Sequence, residues 1–465
     1  MSAPQWMDAR NILCVRLDSM GDVLMCTPAM RALRQARPGR TLTLLSSASG
    51  TALAPYLDDV DAVITYAAPW MKTGASHGAP HPPSADSDFI GQLAERHFDA
   101  AVVFTSFSQS ALPAALMCYM AGIPLRLGHC RENPYRMLSH WVLDDEPGAQ
   151  IRHEVQRQRD LVASVGCRSA DARMQFALRA HDLMAVRRML EERGIRRGRP
   201  WILMHPGASA ASRRYPPERW ADVIGALSRR TGCPIVLTGD AHEAALIEGI
   251  RAGCGVATHS LAGQLGLGQL GAAIRLATVV VSNNTGPAHI AAALGTPLAT
   301  LYALTNPQHT PWQVESRLLF HDVPCRFCYK SVCPEGHHDC LGKVAPGAVV
   351  DAVCSLMGAT RHYRSSSTGP SADPHTAGPA LLLGRQGEAG IGDNASGQPC
   401  RDQAHFPIGN NAAQALAQLH VLGDGHGGPV RVQHIRTCAA VNFAQHDFYL
   451  GIAHRVLTVR GKRRV

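Results

Sequence analysis

Short apolar runs alternate along this chain with longer stretches in which apolar residues return every three or four positions. The first run, Asn11 to Leu17 (NILCVRL), has polar residues on both sides, the pattern of a strand buried on both faces. A tight turn, Asp18-Ser19-Met20-Gly21-Asp22, leads into a helical stretch that ends near Arg37-Pro38-Gly39. Strands are expected again at Thr41 to Leu45, Ala62 to Tyr66 and Ala100 to Phe104, with helical segments between them. The run from Ala111 to Leu125 is broken by Pro113 and Pro124 and reads as a buried helix plus a turn. This strand–helix alternation predicts a doubly wound parallel sheet.

The pattern then restarts. Arg179 to Arg199 is charged and helical and breaks at Gly198-Arg199-Pro200. Strands follow at Trp201 to Met204, Pro234 to Leu237, Thr278 to Ser282 and Leu298 to Leu301, with helices at Pro217 to Thr231 and Asp240 to Ala252. Two α/β sheets in series leave a cleft between two domains, and ligands of such folds collect at the carboxyl ends of the strands. The expected layout is one domain over residues 1–180, a second over 181–360, and a tail over 361–465. Two segments break the rhythm. Met71 to Asp88 is loop-like, and after about Thr360 the chain turns to Gly, Ser, Pro, His and Asn. The tail cannot bury enough apolar surface to offset its ordering entropy and is expected to be largely disordered.

Size and charge narrow the classes. A chain of 465 residues exceeds one ordinary core. No apolar run approaches the ~20 residues of a membrane helix. The N-terminus has no basic stretch followed by an apolar core, so a cytoplasmic protein is expected. The net charge is +9, and beyond residue 360 eleven Lys and Arg face six Asp and Glu, so the body is only mildly basic. That balance suits anionic phosphates or an anionic membrane surface and gives no case for nucleic acid.

Three loops sit where strands end. In the first, Gly21 permits close backbone approach, and Asp22 stands at a strand's carboxyl end, where a carboxylate either removes a proton from an acceptor hydroxyl or caps the following helix. In the second, His205-Pro206-Gly207-Ala208-Ser209 precedes Ser212-Arg213-Arg214, a small-residue loop able to wrap a phosphate with an arginine to neutralise it; an ordinary loop with solvated arginines reads equally well. In the third, Ser282-Asn283-Asn284-Thr285-Gly286-Pro287-Ala288-His289 puts Pro287 in a helix's first turn, which aims free N–H groups at an anion. His289 is either a ligand contact or a satisfied buried imidazole.

With these motifs in place, the chain resembles the ADP-heptose:lipopolysaccharide heptosyltransferase family, glycosyltransferase family 9. The resemblance rests on VRLDSMGDVLMCTPAMRAL (15 to 33), RHEVQRQRDLV (152 to 162), HPGASAASRRYPPERW (205 to 220), SNNTGPAHIAAALGTP (282 to 297) and PCRFCYKSVCPEGHHDCL (324 to 341). These matches keep the family's order and cover roughly residues 11 to 357. The resemblance implies a GT-B fold of two Rossmann-like domains facing a central cleft, the first binding the acceptor and the second the nucleotide-sugar donor. It implies inverting transfer of a heptose from ADP-heptose to a lipopolysaccharide core or lipid-linked glycan acceptor, with no metal required. By the same resemblance Asp22 is the general base, Ser209, Arg213, Asn284, Thr285, Gly286 and His289 hold the donor diphosphate, and Asp240 or Glu243 meets its ribose. Peripheral contact with the cytoplasmic face of the inner membrane would bring the lipid acceptor within reach.

The chain departs from the family at Asn284, where many members carry aspartate, and at Tyr215, where tryptophan is usual. Two other readings stand beside the heptosyltransferase: the same fold acting on another nucleotide-sugar donor, and a catalytically weak protein that binds a nucleotide sugar or a metal.

Two further motifs carry less. Gly266-Leu267-Gly268-Gln269-Leu270-Gly271 matches the dinucleotide fingerprint, but no convincing strand precedes it and no acidic residue follows at the required distance. Cys325, Cys328, Cys333 and Cys340, with His337 and His338 nearby, offer soft ligands for a structural zinc or an iron–sulfur cluster; buried thiols or a disulfide are the alternatives.

Overall fold

The computed structural model describes residues 5–71, 83–146, 148 and 151–366. Its first sheet contains β1 (Asn11–Arg16), β2 (Thr41–Ser46), β3 (Ala62–Thr65), β4 (Ala100–Val103), β5 (Leu125–Cys130) and β6 (His140–Leu143), all parallel, in the order β3-β2-β1-β4-β5-β6. Its second contains β7 (Ile202–His205), β8 (Ile235–Leu237), β9 (His259–Ser260), β10 (Val279–Asn283), β11 (Leu298–Leu301) and β12 (Ser316–Leu319), also parallel, in the order β12-β11-β10-β7-β8-β9. Each sheet reverses its winding once, between β1 and β4 in the first and between β7 and β10 in the second. The three loops singled out above leave β1, β7 and β10, all strands at these switch points, where open α/β sheets bind ligands.

The central strands are apolar on both faces because helices cover both. β4 (AAVV) is buried throughout, and β1 is buried from Ile12 onward. The expected doubly wound architecture and the GT-B class hold. The helix over Pro217–Thr231 starts on a proline and stops at Gly232, whose φ of 62° suits glycine at a helix C-cap.

Four strands were not expected: β5, β6, β9 and β12. β5 (LRLGHC) reads as mixed, yet Arg126 is buried because its guanidinium donates to the carbonyls of Met137 at 2.8 Å and Arg136 at 2.7 Å. β6 and β12 lie on sheet edges and carry exposed residues, so neither shows a buried strand's apolar run. β9 is two residues long.

The expected loop Met71 to Asp88 is shorter than its composition suggests, since a helix over Pro83–Ala94 takes its last six residues; residues 72–82 lie outside the described residues. The last described helix, Pro346–Ser366, runs past the expected start of the tail at 361, and residues 367–465 also lie outside the described residues.

All described residues belong to one compact unit. A single apolar cluster runs across both sheets, joining Met25 and Ala29 of the Met20–Gln35 helix to Ile290 and Ala291 of the Gly286–Leu294 helix and to Phe176. The glycines of the fingerprint-like segment serve this packing. A β-carbon on Gly268 would meet Asp182 and Tyr56, and one on Gly271 would meet Phe176.

Candidate active site

The site is built on a buried arginine. Arg16 ends β1, inside the apolar run that made the strand legible, and is 0% exposed. Three carboxylates hold its guanidinium. Nη1 donates to Glu154 Oε1 at 2.8 Å, Nη2 donates to Asp22 Oδ1 at 3.2 Å, and Nε faces Asp18 Oδ2 at 2.8 Å without the alignment of a hydrogen bond. Glu154 opens the Glu154–Ala163 helix and also accepts from Gln158 Nε2 at 2.8 Å. One turn on, Arg157 pairs with Asp144 at 3.0 Å. These charges are buried with partners, as buried charges must be.

Asp22 occupies the first turn of the Met20–Gln35 helix. Its Oδ2 accepts from the Ser19 N–H at 3.2 Å and from Ser19 Oγ at 2.7 Å, so the carboxylate does cap its helix, as the plainer reading of the motif has it. Oδ1 remains aimed at Arg16 and, 4.0 Å away, at His309 Nδ1. Burial alone would raise its pKa. The Arg16 charge, then His309, the Ser19 hydrogen bond and His289 outweigh burial and hold the carboxyl well below the usual carboxylate range. Asp18 goes the other way: burial, followed by the charges of Asp22 and Glu154, lifts it to about 6 against the pull of Arg16 and a hydrogen bond from Gln109.

The two halves meet over this carboxylate. A β-carbon on Gly21 would stand 2.8 Å from His289 Cδ2, and one on Gly286 would stand 3.0 Å from Met20 Sδ. The close approach that Gly21 permits is therefore made by an imidazole in the first turn of the Gly286–Leu294 helix. Burial pushes the His289 pKa down to about 3, with His309 adding to the effect, so the ring is neutral near pH 7; its Nδ1 is buried without a partner among the described residues. His309 is likewise lowered by burial, and its Nε2 also lacks a described partner. His153 Nε2 lies 2.7 Å from the Thr310 carbonyl, and its ring packs on Trp312 with centroids 4.5 Å apart, which fixes the segment carrying His309.

On the second sheet, Asn283 ties two loops together: its Nδ2 donates to the Pro206 and Gly207 carbonyls, and its Oδ1 accepts from the Tyr215 N–H at 3.4 Å. Arg213, in a short 3₁₀ turn, donates from Nη1 to the Asn284 carbonyl at 3.5 Å, and its Nε has no described partner. Thr285 is the N-cap of the Gly286–Leu294 helix, and its side chain does not cap it, so no capping side chain offsets the positive end of the helix dipole there. Asn284 is buried, at 2% exposure. Ser209 lies at the exposed end of its loop, where its carbonyl accepts from Arg214. Tyr215 suits its buried place because its hydroxyl donates to the Val344 carbonyl at 2.8 Å.

Asp240 and Glu243 form a reciprocal turn, each accepting from the other's N–H at 3.0 and 2.9 Å. Only Glu243 reaches the glycine loops: its carboxylate occupies the space a β-carbon on Gly207 or Gly239 would take, and it lies 3.7 Å from His205 Nε2. Burial raises its pKa. Asp240 is exposed.

Cys325, Cys328, Cys333 and Cys340 line one hollow with His337 and His338, and Cys325 Sγ lies 3.6 Å from His337 Nε2. All four are free thiols. Among the described residues, no three His, Cys, Asp or Glu side chains stand close enough together to hold a metal ion, so this arrangement does not fit one as it stands.

Sequence reasoning did not single out Arg16, Asp18, Glu154 or His309. A charged residue inside the run NILCVRL was the available signal for Arg16.

Comparison with known proteins follows the same lines. The model of glycosyltransferase family 9 (heptosyltransferase) matches residues 88–338, more than half the chain. A lipopolysaccharide heptosyltransferase 2 of Escherichia coli K12 is 27% identical over 363 residues, spanning 75% of this chain and 98% of that protein. A lipopolysaccharide heptosyltransferase 1 of Salmonella typhimurium is 26% identical over 311 residues, covering 64% and 89%. A family 9 glycosyltransferase from Veillonella parvula superposes with a TM-score of 0.64 at 18% identity, over 77% of this chain and 99% of its own. The ADP-heptose lipopolysaccharide heptosyltransferase II of E. coli gives 0.57 at 23%, over 76% and 99%. At these identities the two structures speak to the fold.

Proposed function

The chain belongs to glycosyltransferase family 9, and from that premise we propose that this glycosyltransferase moves a heptose from ADP-heptose to a lipopolysaccharide core acceptor with inversion, Asp22 acting as general base. The observation that carries the reading is the placement of the Asp22 carboxylate. It lies at the switch point of the first sheet and faces the imidazoles of His289 and His309, with the start of the Gly286–Leu294 helix beside it. The names of the similar proteins supply the donor and acceptor classes.

In this mechanism an acceptor hydroxyl attacks the anomeric carbon of the donor. The bond to the diphosphate oxygen breaks, ADP leaves, and the hydroxyl proton passes to Asp22. Arg16 keeps that carboxylate ionised and makes it a weak base, so the proton moves as the attacking oxygen gains positive charge in forming the new bond. Arg213 and the Gly286 N–H supply positive charge where the departing diphosphate gains negative charge. Neutral His289 and His309 offer hydrogen bonds beside Asp22. Glu243, beside Gly207, is the carboxylate placed to accept from the donor's ribose hydroxyls, a role that loss of ADP affinity in Glu243→Ala tests. No step uses a metal.

The acceptor is a lipid, and the described residues include no helix long and apolar enough to cross a membrane. Peripheral contact at the cytoplasmic face of the inner membrane is supported by the Leu112–Met120 helix. There Leu116, Tyr119 and Met120 share one exposed face, and Arg126 lies 5.2 Å from the Tyr119 ring. Sedimentation with anionic vesicles, weakened by Leu116→Ser with Met120→Ser, tests that contact. The donor assignment is tested by ADP release from ADP-heptose in the presence of a core acceptor lacking one heptose. Release from another nucleotide sugar and not from ADP-heptose would replace the donor and keep the fold and base.

A further inference from the structure

The run RHEVQRQRDLV (152 to 162) enters the proposed mechanism only through Glu154, yet its first three side chains each hold a different part of the site. Glu154 holds Arg16, and through it Asp22. Arg152 donates from Nε to Glu146 and from Nη1 to Asp160 Oδ2 at 3.0 Å, and Glu146 in turn accepts from Gln308 Nε2. His153 Nε2 lies 2.7 Å from the Thr310 carbonyl. Gln308 and Thr310 flank His309, so the residue before it and the residue after it are both tied to the first half of the chain.

The His153 contact has a fixed direction. His153 is the N-cap of the Glu154–Ala163 helix, and its Nδ1 accepts from the Val155 N–H at 3.1 Å. A neutral imidazole carries one ring proton, so that proton sits on Nε2 and is donated to Thr310. Burial pushes the His153 pKa down to about 4, against the pull of the Thr310 carbonyl, which keeps the ring neutral near pH 7. The segment it holds is stiff. Asn306 Oδ1 accepts from the Gln308 N–H at 2.8 Å, Pro307–His309 form a 3₁₀ turn, and Trp312 Nε1 donates to the Ala172 carbonyl at 2.8 Å. The ring of Pro307 sets its own φ. A short turn held at both ends leaves His309 little freedom, and its Nδ1 stands 4.0 Å from Asp22 Oδ1.

We propose that His153 is a positioning residue for the transfer: its Nδ1 fixes the start of the helix that carries Glu154, and its Nε2–H places His309 against Asp22. The proposal rests on the transferase reading and deepens it. His153 acts through His309 and not on the reacting atoms. Its neighbour Glu154 sets Asp22 from behind through Arg16. Two adjacent residues thus fix both the carboxylate and the imidazole that faces it, and a shift of this helix start displaces both.

Two substitutions in the full-length chain separate the two nitrogens. His153→Asn puts an acceptor where Nδ1 stood and ends short of Thr310. His153→Gln puts an N–H near the place of Nε2 and gives up the cap. Acceptor-dependent ADP release from ADP-heptose gives kcat, calorimetry gives ADP affinity and checks folding, and hydrogen–deuterium exchange follows the peptide over residues 302–312. His153→Asn is expected to keep the wild-type melting temperature and ADP affinity while kcat falls by roughly ten- to a hundredfold, the loss a small misplacement brings. Its 302–312 amides are expected to exchange roughly two- to tenfold faster, the worth of one hydrogen bond. His153→Gln is expected to recover kcat in part despite a lower melting temperature. Adding His153→Asn to His309→Ala is expected to slow the His309→Ala protein no further, because both act through one contact. A His153→Asn protein that turns over as fast as His153→Gln would overturn the proposal and leave His153 as a helix cap, and so would losses that multiply in the double variant. Faster exchange in His153→Asn and not in His153→Gln, in a protein that releases no ADP at all, would support the positioning contact and count against the transferase reading.

Discussion

Arg16 Nη1 donates to Glu154 Oε1 at 2.8 Å, and both side chains are 0% exposed. This pair joins the end of β1 to the start of the Glu154–Ala163 helix and leaves the rest of the guanidinium to orient Asp18 and Asp22. The Asp22 carboxylate is thus held from behind by a charge that no solvent reaches.

Removing that charge leaves carboxylates buried without a cation. Arg16→Met is expected to destabilise the fold by about 3–5 kcal/mol, as breaking buried pairs does, and urea unfolding at pH 7 reads it. Asp22 and Glu154 both have folded pKa values below their ordinary ones. Their contribution is therefore present above about pH 4 and is lost as pH falls through the folded values. The gap between wild type and Arg16→Met should accordingly narrow towards pH 3. A gap that stays constant across this range would show that the charges do not carry the effect.

Asp18, lifted to about 6, titrates where Asp22 does not. Below pH 6 it gains a proton, and the carboxylate cluster around Arg16 loses one negative charge. Acceptor KM is expected to rise as pH falls through about 6, and Asp18→Asn is expected to flatten the profile. An unchanged acid limb in Asp18→Asn would assign it to another group.

Gly21→Ala places a β-carbon 2.8 Å from His289 Cδ2. The ring must move, and with it the start of the Gly286–Leu294 helix, at an overpacking cost of roughly 1–3 kcal/mol. ADP affinity measured by calorimetry is expected to fall together with the melting temperature. Wild-type ADP affinity in a folded Gly21→Ala protein would separate His289 from the donor site.

The four-cysteine hollow plays no part in the proposed transfer. Exhaustive chelation is expected to leave kcat unchanged. A loss of kcat restored by metal would contradict the metal-free mechanism.

The sequence carried the frame of this fold further than its edges. β1, β4, β7 and β10 were legible because helices bury both of their faces, which leaves apolar runs that end where chemistry begins. β6 and β12 were not, since an edge strand needs only one covered side. Within the site, Gly21, Asp22, Gly286 and His289 announced themselves by residue type at a strand's end. Arg16 hid inside an apolar run, and its three carboxylates come from residues up to Glu154, a pairing set by the sheet and helix geometry rather than by local pattern. Asp240 and Glu243 were indistinguishable by spacing. Packing against Gly207 and Gly239 separates them.

Whether Asp22 takes the proton is read by acceptor-dependent ADP release from ADP-heptose by wild type and by Asp22→Asn. The substitution keeps an acceptor oxygen for the Ser19 contacts, so ADP affinity serves as the check on folding. With Asp22 as the base, kcat is expected to fall by roughly 10²–10⁴ with ADP binding retained. Near-normal turnover in Asp22→Asn would contradict it and leave Asp22 as a helix cap beside a base yet to be located.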